Sequence, residues 1–125
     1  MKEVIHTPHA PAPIGPYSQG IKHGNLHFFS GMIAINPTSG ELVLSSIEAE
    51  TRQVMQNIEA LLTASNLTFA NIVKTSIFLK TMDDFATVNG IYGEYFTSEP
   101  PARETVAVAG LPKGVNVEIS VTAIG

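Results

Sequence analysis

At 125 residues the chain has the size of one compact domain, and with 44% hydrophobic and only 14% charged residues it is globular, with little charge to cover a monomer's surface. A net charge of -4, with seven Lys and Arg residues scattered singly, leaves no electrostatic footprint for nucleic acid or an anionic membrane surface. The absence of cysteine excludes disulfides, thiolate nucleophiles and thiolate metal sites.

Prolines follow within ten residues of the N-terminus, so no apolar stretch is long enough for a signal peptide or membrane span, and a cytoplasmic location is the expectation. Pro8, Pro11, Pro13 and Pro16 fix φ and remove backbone donors, which predicts an extended arm without a helix. From Tyr17 to Ile35 the text is strand-like, with Lys22-His23-Gly24-Asn25 as the turn of a hairpin, and Asn36-Pro37-Thr38-Ser39-Gly40 is a second turn.

Ser45-Ser46-Ile47-Glu48 has the form of a capping box and opens a helix carrying Ile47, Val54, Met55, Ile58, Leu61 and Leu62, which should end near Asn66. Ile72 to Lys80 is β-branched and short, hence a strand. Asp83 and Asp84 favour the start of a second helix with Phe85, Val88, Ile91, Tyr92, Tyr95 and Phe96 as its apolar stripe, and Pro100-Pro101 stops it. Strands over Thr105 to Ala109 and Val115 to Ile124 close the chain, joined through Gly110-Leu111-Pro112-Lys113-Gly114.

This order predicts a single α+β domain over residues 1–125, a sandwich with two helices on one face of a mixed sheet. Val106, Val108, Val115, Val117, Ile119 and Val121 supply more apolar surface than two helices can hide, so the other sheet face is expected to be an interface between subunits.

No GxGxxG, P-loop or Gly-x-Ser-x-Gly pattern is present, and neither His6/His9 nor His23/His27 has the spacing of a metal site. Two side chains stand out instead. Arg103 follows a rigid Pro-Pro-Ala run, and its planar fork suits bidentate capture of a carboxylate, although a salt bridge to Glu99 or Glu104 fits the spacing equally. Glu118 is the only ionisable residue between Val115 and Ile124, and alternation places it with Asn116, Ser120 and Thr122 on the less apolar face. Such a glutamate is costly unless paired or used, and the sequence leaves both readings open.

Ile14-Gly15-Pro16-Tyr17-Ser18-Gln19-Gly20, Ser30-Gly31-Met32-Ile33, Asn36-Pro37, Asp83-Asp84-Phe85 with Val88-Asn89, Pro101-Ala102-Arg103 and Leu111 through Ile119 together resemble the Rid family, also called YjgF or L-PSP, over essentially the whole chain. The resemblance implies a chorismate-mutase-like fold, a homotrimer with three clefts at subunit boundaries, and 2-iminobutanoate/2-iminopropanoate deaminase activity on products of pyridoxal-phosphate enzymes. It implies that Arg103 binds the substrate carboxylate, that Glu118 handles water and protons, and that Tyr17, Ser30 and the Gly31 backbone line the pocket. Asn89 falls at its mouth. One departure is Thr105, where active deaminases often carry cysteine two residues after the arginine. The reaction implied needs neither metal nor organic cofactor. Readings from other classes are a module that senses small carboxylates and, less in keeping with an acidic chain, a ribonuclease or translation inhibitor.

Overall fold

The computed structural model describes residues 1–125 and contains strands β1 (Glu3–Ile5), β2 (Gly20–His23), β3 (Leu26–Phe29), β4 (Ile72–Leu79), β5 (Ala102–Ala107) and β6 (Val117–Ile124), with helices α1 (Ile47–Ala64) and α2 (Phe85–Gly93). The strands form one sheet in the order β1-β2-β3-β6-β4-β5, antiparallel throughout except for the parallel β4–β5 pair. The expected α+β sandwich with a mixed sheet is what the chain adopts.

Local chemistry accounts for the elements. The hairpin turns on Gly24 and Asn25, with Gly24 at a φ of 61° that a side chain would resist. The cap of α1 is Ser46, not Ser45: its side chain accepts from the Ala49 N–H, so the capping box read from Ser45 and Glu48 lies one residue out of phase. At the other end Asn66 takes the left-handed conformation at a φ of 59°, as its position suggested. A single 3-10 turn over Met82–Asp84, capped by Thr81, leads into α2, which stops at Gly93; Tyr95 and Phe96 pack on the core from beyond it.

Three expectations are corrected. A strand at Glu3–Ile5 pairs with β2 ahead of the proline arm. β5 begins at Ala102, so Arg103 lies inside the strand and does not merely precede it. The third concerns the apolar strands at the C-terminus. Val115, Val117, Ile119 and Val121 are buried, and the last three belong to the core formed with Val54, Met55, Ile58 and Leu61 of α1. They face the helices, not solvent. The open sheet face is apolar through other residues: Leu26, Phe28, Val106 and Ile124 are 37 to 48% exposed. Strand register places Phe28 beside Thr122 and Val106 beside Phe78, so these rings and methyls share the face opposite the helices.

Candidate active site

Glu118 stands on that open face, next to Phe78 of β4. Beyond β3 the chain bonds to β6 again, Met32 N–H to Ile119 O at 2.8 Å and Ile119 N–H to Met32 O at 3.1 Å, and this lays Ser30-Gly31 against the Glu118 side chain. Glycine leaves room for the carboxylate in this position, because a Cβ on residue 31 would stand 2.8 Å from the Glu118 carboxyl carbon, nearer still to an oxygen, and would push the side chain aside. A cleft of about 370 Å³ opens over the carboxylate, lined by Tyr17, Ser30, Gly31 and Glu118 among apolar residues that include Ile14 and Met32. No hydrogen bond or ion pair engages Glu118. Burial without a compensating donor raises its carboxyl above the ordinary 4.5.

The walls of the cleft are held by side chains that local sequence patterns do not reveal. Gln19 is 1% exposed; it accepts from Thr7 N–H at 2.8 Å and donates to the carbonyls of Thr7, Ala10 and Pro11, which straps the proline arm over the opening. Asn57 of α1 donates to the carbonyls of Ile33 and Ile35 at 3.0 and 2.9 Å and fixes the segment after Gly31. Ser30 Oγ donates to Ser18 O at 2.6 Å, and the half-exposed Tyr17 hydroxyl accepts from Ile14 N–H at 3.3 Å, leaving its own proton free.

Arg103 is elsewhere. In the β4–β5 register it lies beside the fully buried Thr75, on the helix side of the sheet. Its Nη1 donates to Asn89 Oδ1 at 2.7 Å, and its Cζ sits 5.1 Å from the Tyr92 ring centroid and 5.9 Å from that of Phe85. Neither Glu99 nor Glu104 pairs with it: Glu104 binds Lys74 Nζ at 2.6 Å and also accepts from Ser76 Oγ, which together hold its carboxyl below the ordinary value. Thr105 is on Arg103's side of the strand, opposite Ile77, and its buried hydroxyl has no hydrogen-bond partner.

The seven candidate residues therefore form two groups with the sheet between them. Tyr17, Ser30, Gly31 and Glu118 share the cleft on the open face; Asn89, Arg103 and Thr105 gather at the β5 edge on the helix face. Asn116 leaves the company of Glu118 that alternation gave it, because its amide and backbone N–H both bind Glu50 of α1 at 2.7 Å. His27 is a core residue, 1% exposed, with Nδ1 3.2 Å from Asn25 O, while His23 is exposed.

Residues 7–125 match the family model described as Endoribonuclease L-PSP. A RutC family protein of Pyrococcus horikoshii is 50% identical over 123 residues, covering 98% of both chains. The 2-iminobutanoate/2-iminopropanoate deaminase of Escherichia coli K12 is 45% identical over 127 residues, covering 99% of this chain and 98% of its own. Among solved structures, a conserved Rid-family protein of Yersinia pestis superposes over the whole of both chains with a TM-score of 0.97 at 48% identity.

Proposed function

This chain belongs to the L-PSP or Rid family, and on that premise we propose that it hydrolyses small 2-imino acids to 2-oxo acids and ammonia in the cytoplasm, as a homotrimer whose sites lie between subunits. The observation that carries this reading is the pairing of two complementary vacancies. Glu118 lacks any partner on one face of the sheet, and Arg103 lacks any carboxylate on the other. One copy cannot bring them to the same ligand. The β5 edge of one subunit set against the open face of the next does so, and such a head-to-tail contact, repeated about a three-fold axis, closes into a ring of three.

In that site Arg103 takes the substrate carboxylate with the edge of its fork that Asn89 does not occupy, and Thr105 lines the wall beside it. Glu118 accepts a proton from water as the oxygen bonds to the C=N carbon. Glu118 returns that proton to nitrogen to give the carbinolamine, then carries the carbinolamine hydroxyl proton to the amino nitrogen as the C–N bond breaks, so that ammonia departs and the carbonyl forms. The Tyr17 hydroxyl, Ser30 and the Gly31 backbone supply polar contacts around the reacting carbon. A carboxyl raised by burial suits a base that must later return its proton. The family description also names ribonuclease chemistry, but a net charge of -4 with seven singly scattered Lys and Arg residues gives little to hold a chain of phosphates, whereas one arginine fork suffices for a single carboxylate.

The test is ammonia release from 2-iminopropanoate and 2-iminobutanoate generated in situ by a serine or threonine dehydratase. Hydrolysis faster than the spontaneous rate is expected, with most of it lost in Arg103→Lys because a point charge cannot replace the planar fork. Binding of 2-oxobutanoate with no acceleration would assign the chain to small-carboxylate sensing.

A further inference from the structure

Phe85, Asn89 and Tyr92 recur at i, i+4 and i+7 along α2, so they form one stripe of the helix, and every member of that stripe meets Arg103. Two rings lie within cation–π distance of the guanidinium, and an amide oxygen takes one of its N–H groups. An apolar stripe interrupted by a single asparagine is poorly explained as core alone.

Tyr92 adds a second constraint. It is 4% exposed, and its hydroxyl donates to Thr75 Oγ1 at 2.9 Å. Thr75 is the residue beside Arg103 in the β4–β5 register. The ring that packs against the guanidinium is thus pinned to the neighbouring strand, and strand, ring and arginine form a closed loop. Burial raises the Tyr92 hydroxyl above its ordinary 10.0, which keeps it a donor throughout the physiological range. Arg103 carries five N–H donors on a long side chain that, left free, would sample many rotamers.

We propose that Tyr92 is a positioning residue: pinned by Thr75, its ring fixes the plane of Arg103, with Phe85 and Asn89 completing the cradle, so that the unoccupied edge of the fork is preset for a carboxylate. This rests on Arg103 being the carboxylate-binding group. Tyr92 touches no substrate and acts only through the arginine, which gives its effect a signature. Removing the ring weakens carboxylate binding in the presence of Arg103 and does nothing further once the planar fork is gone.

The experiment measures the dissociation constant for 2-oxobutanoate and the KM and kcat for 2-iminobutanoate in Tyr92→Leu, Tyr92→Phe and Arg103→Lys, and in Tyr92→Leu combined with Arg103→Lys. Thermal unfolding of each variant runs alongside. Tyr92→Leu should raise both KM and the dissociation constant about tenfold, the size of one favourable cation–π contact. Tyr92→Phe keeps the ring and loses only the pin, so a rise of roughly two- to threefold is expected. In the Arg103→Lys background, Tyr92→Leu should change neither constant. A folded Tyr92→Leu with wild-type KM overturns the proposal, as does a tenfold effect that persists undiminished beside Arg103→Lys, since that would be structural. Unchanged binding in Arg103→Lys alone is a different failure, which removes the arginine from the site and Tyr92's role with it. Should Tyr92→Leu not fold, Phe85→Leu takes its place, with a rise of about threefold that must likewise vanish beside Arg103→Lys.

Discussion

Glu50 and Glu118 are both drawn out of bulk water near the start of β6, Glu50 from the helix side and Glu118 from the open side. Glu50 is fully buried, and its two oxygens accept from Asn116 N–H and Nδ2 at 2.7 Å and from Val117 N–H at 3.1 Å. Its role is complete within one chain: it satisfies the backbone donors at the entry to β6 and ties that strand to α1. Glu118 is less buried yet has no donor at all, and glycine at position 31 has cleared space for it. On the proposed reading of Glu118, burial does not mark a reactive carboxylate. Unmet hydrogen-bonding capacity beside open volume does, because the free energy cost of holding it there brings the fold nothing in return.

The largest effect expected from this contrast is on turnover. Glu118→Gln should lower kcat by roughly 10²- to 10⁴-fold while leaving 2-oxobutanoate binding in place, since an amide cannot take the proton from water. Equal loss of binding and turnover would make Glu118 a binding group only. Glu50→Ala should act oppositely, costing about 3 kcal/mol or more by orphaning three donors. Urea unfolding measures this, and a loss below about 1 kcal/mol would show that water can replace the carboxylate there.

Gly31→Ala probes the space that Glu118 occupies. The added methyl should displace the carboxylate and reduce kcat/KM about tenfold or more, the consequence of a small misplacement of a catalytic group. Wild-type kinetics would mean that the two do not meet in the working site. The smallest effect is on stability against pH. The Glu118 carboxyl is raised in the folded state, so its ionisation disfavours folding above pH 4.5, increasingly as pH rises through the raised value. Glu118→Gln should therefore be somewhat more stable than wild type at pH 7, with the difference closing as pH falls towards 4.5. A variant less stable at neutral pH would indicate a structural partner for Glu118.

Much of the fold could be read from local pattern. The β4 run, the Gly24-Asn25 hairpin and the Asn66 helix end each depend on residues within a few positions of one another. Glu118 was visible for the same reason, as a lone charge in an apolar strand. What escaped depends on partners distant in sequence. β1 is three residues long and exists by pairing with β2, and Gln19 gains meaning only from carbonyls eight to twelve residues away. Strict alternation in β6 identifies two faces without saying which one the helices cover, and it is the face of Val117, Ile119 and Val121 that packs on α1. The same missing information left open which face of the sheet each of Arg103 and Glu118 occupies. Only β5 and β6 placed on either side of β4, with Arg103 facing α2 and Glu118 facing away, separates them.

That separation is the core of the account, and subunit mixing tests it most directly. Arg103→Lys and Glu118→Gln proteins, each inactive alone, would be denatured together in equal amounts, refolded and assayed with 2-iminobutanoate. If each cleft takes its arginine from one subunit and its glutamate from the next, about one cleft in four receives both native residues, and activity should return to roughly a quarter of the wild-type value. Mixed oligomers that remain inactive would place both residues of each site in the same chain and contradict the shared cleft.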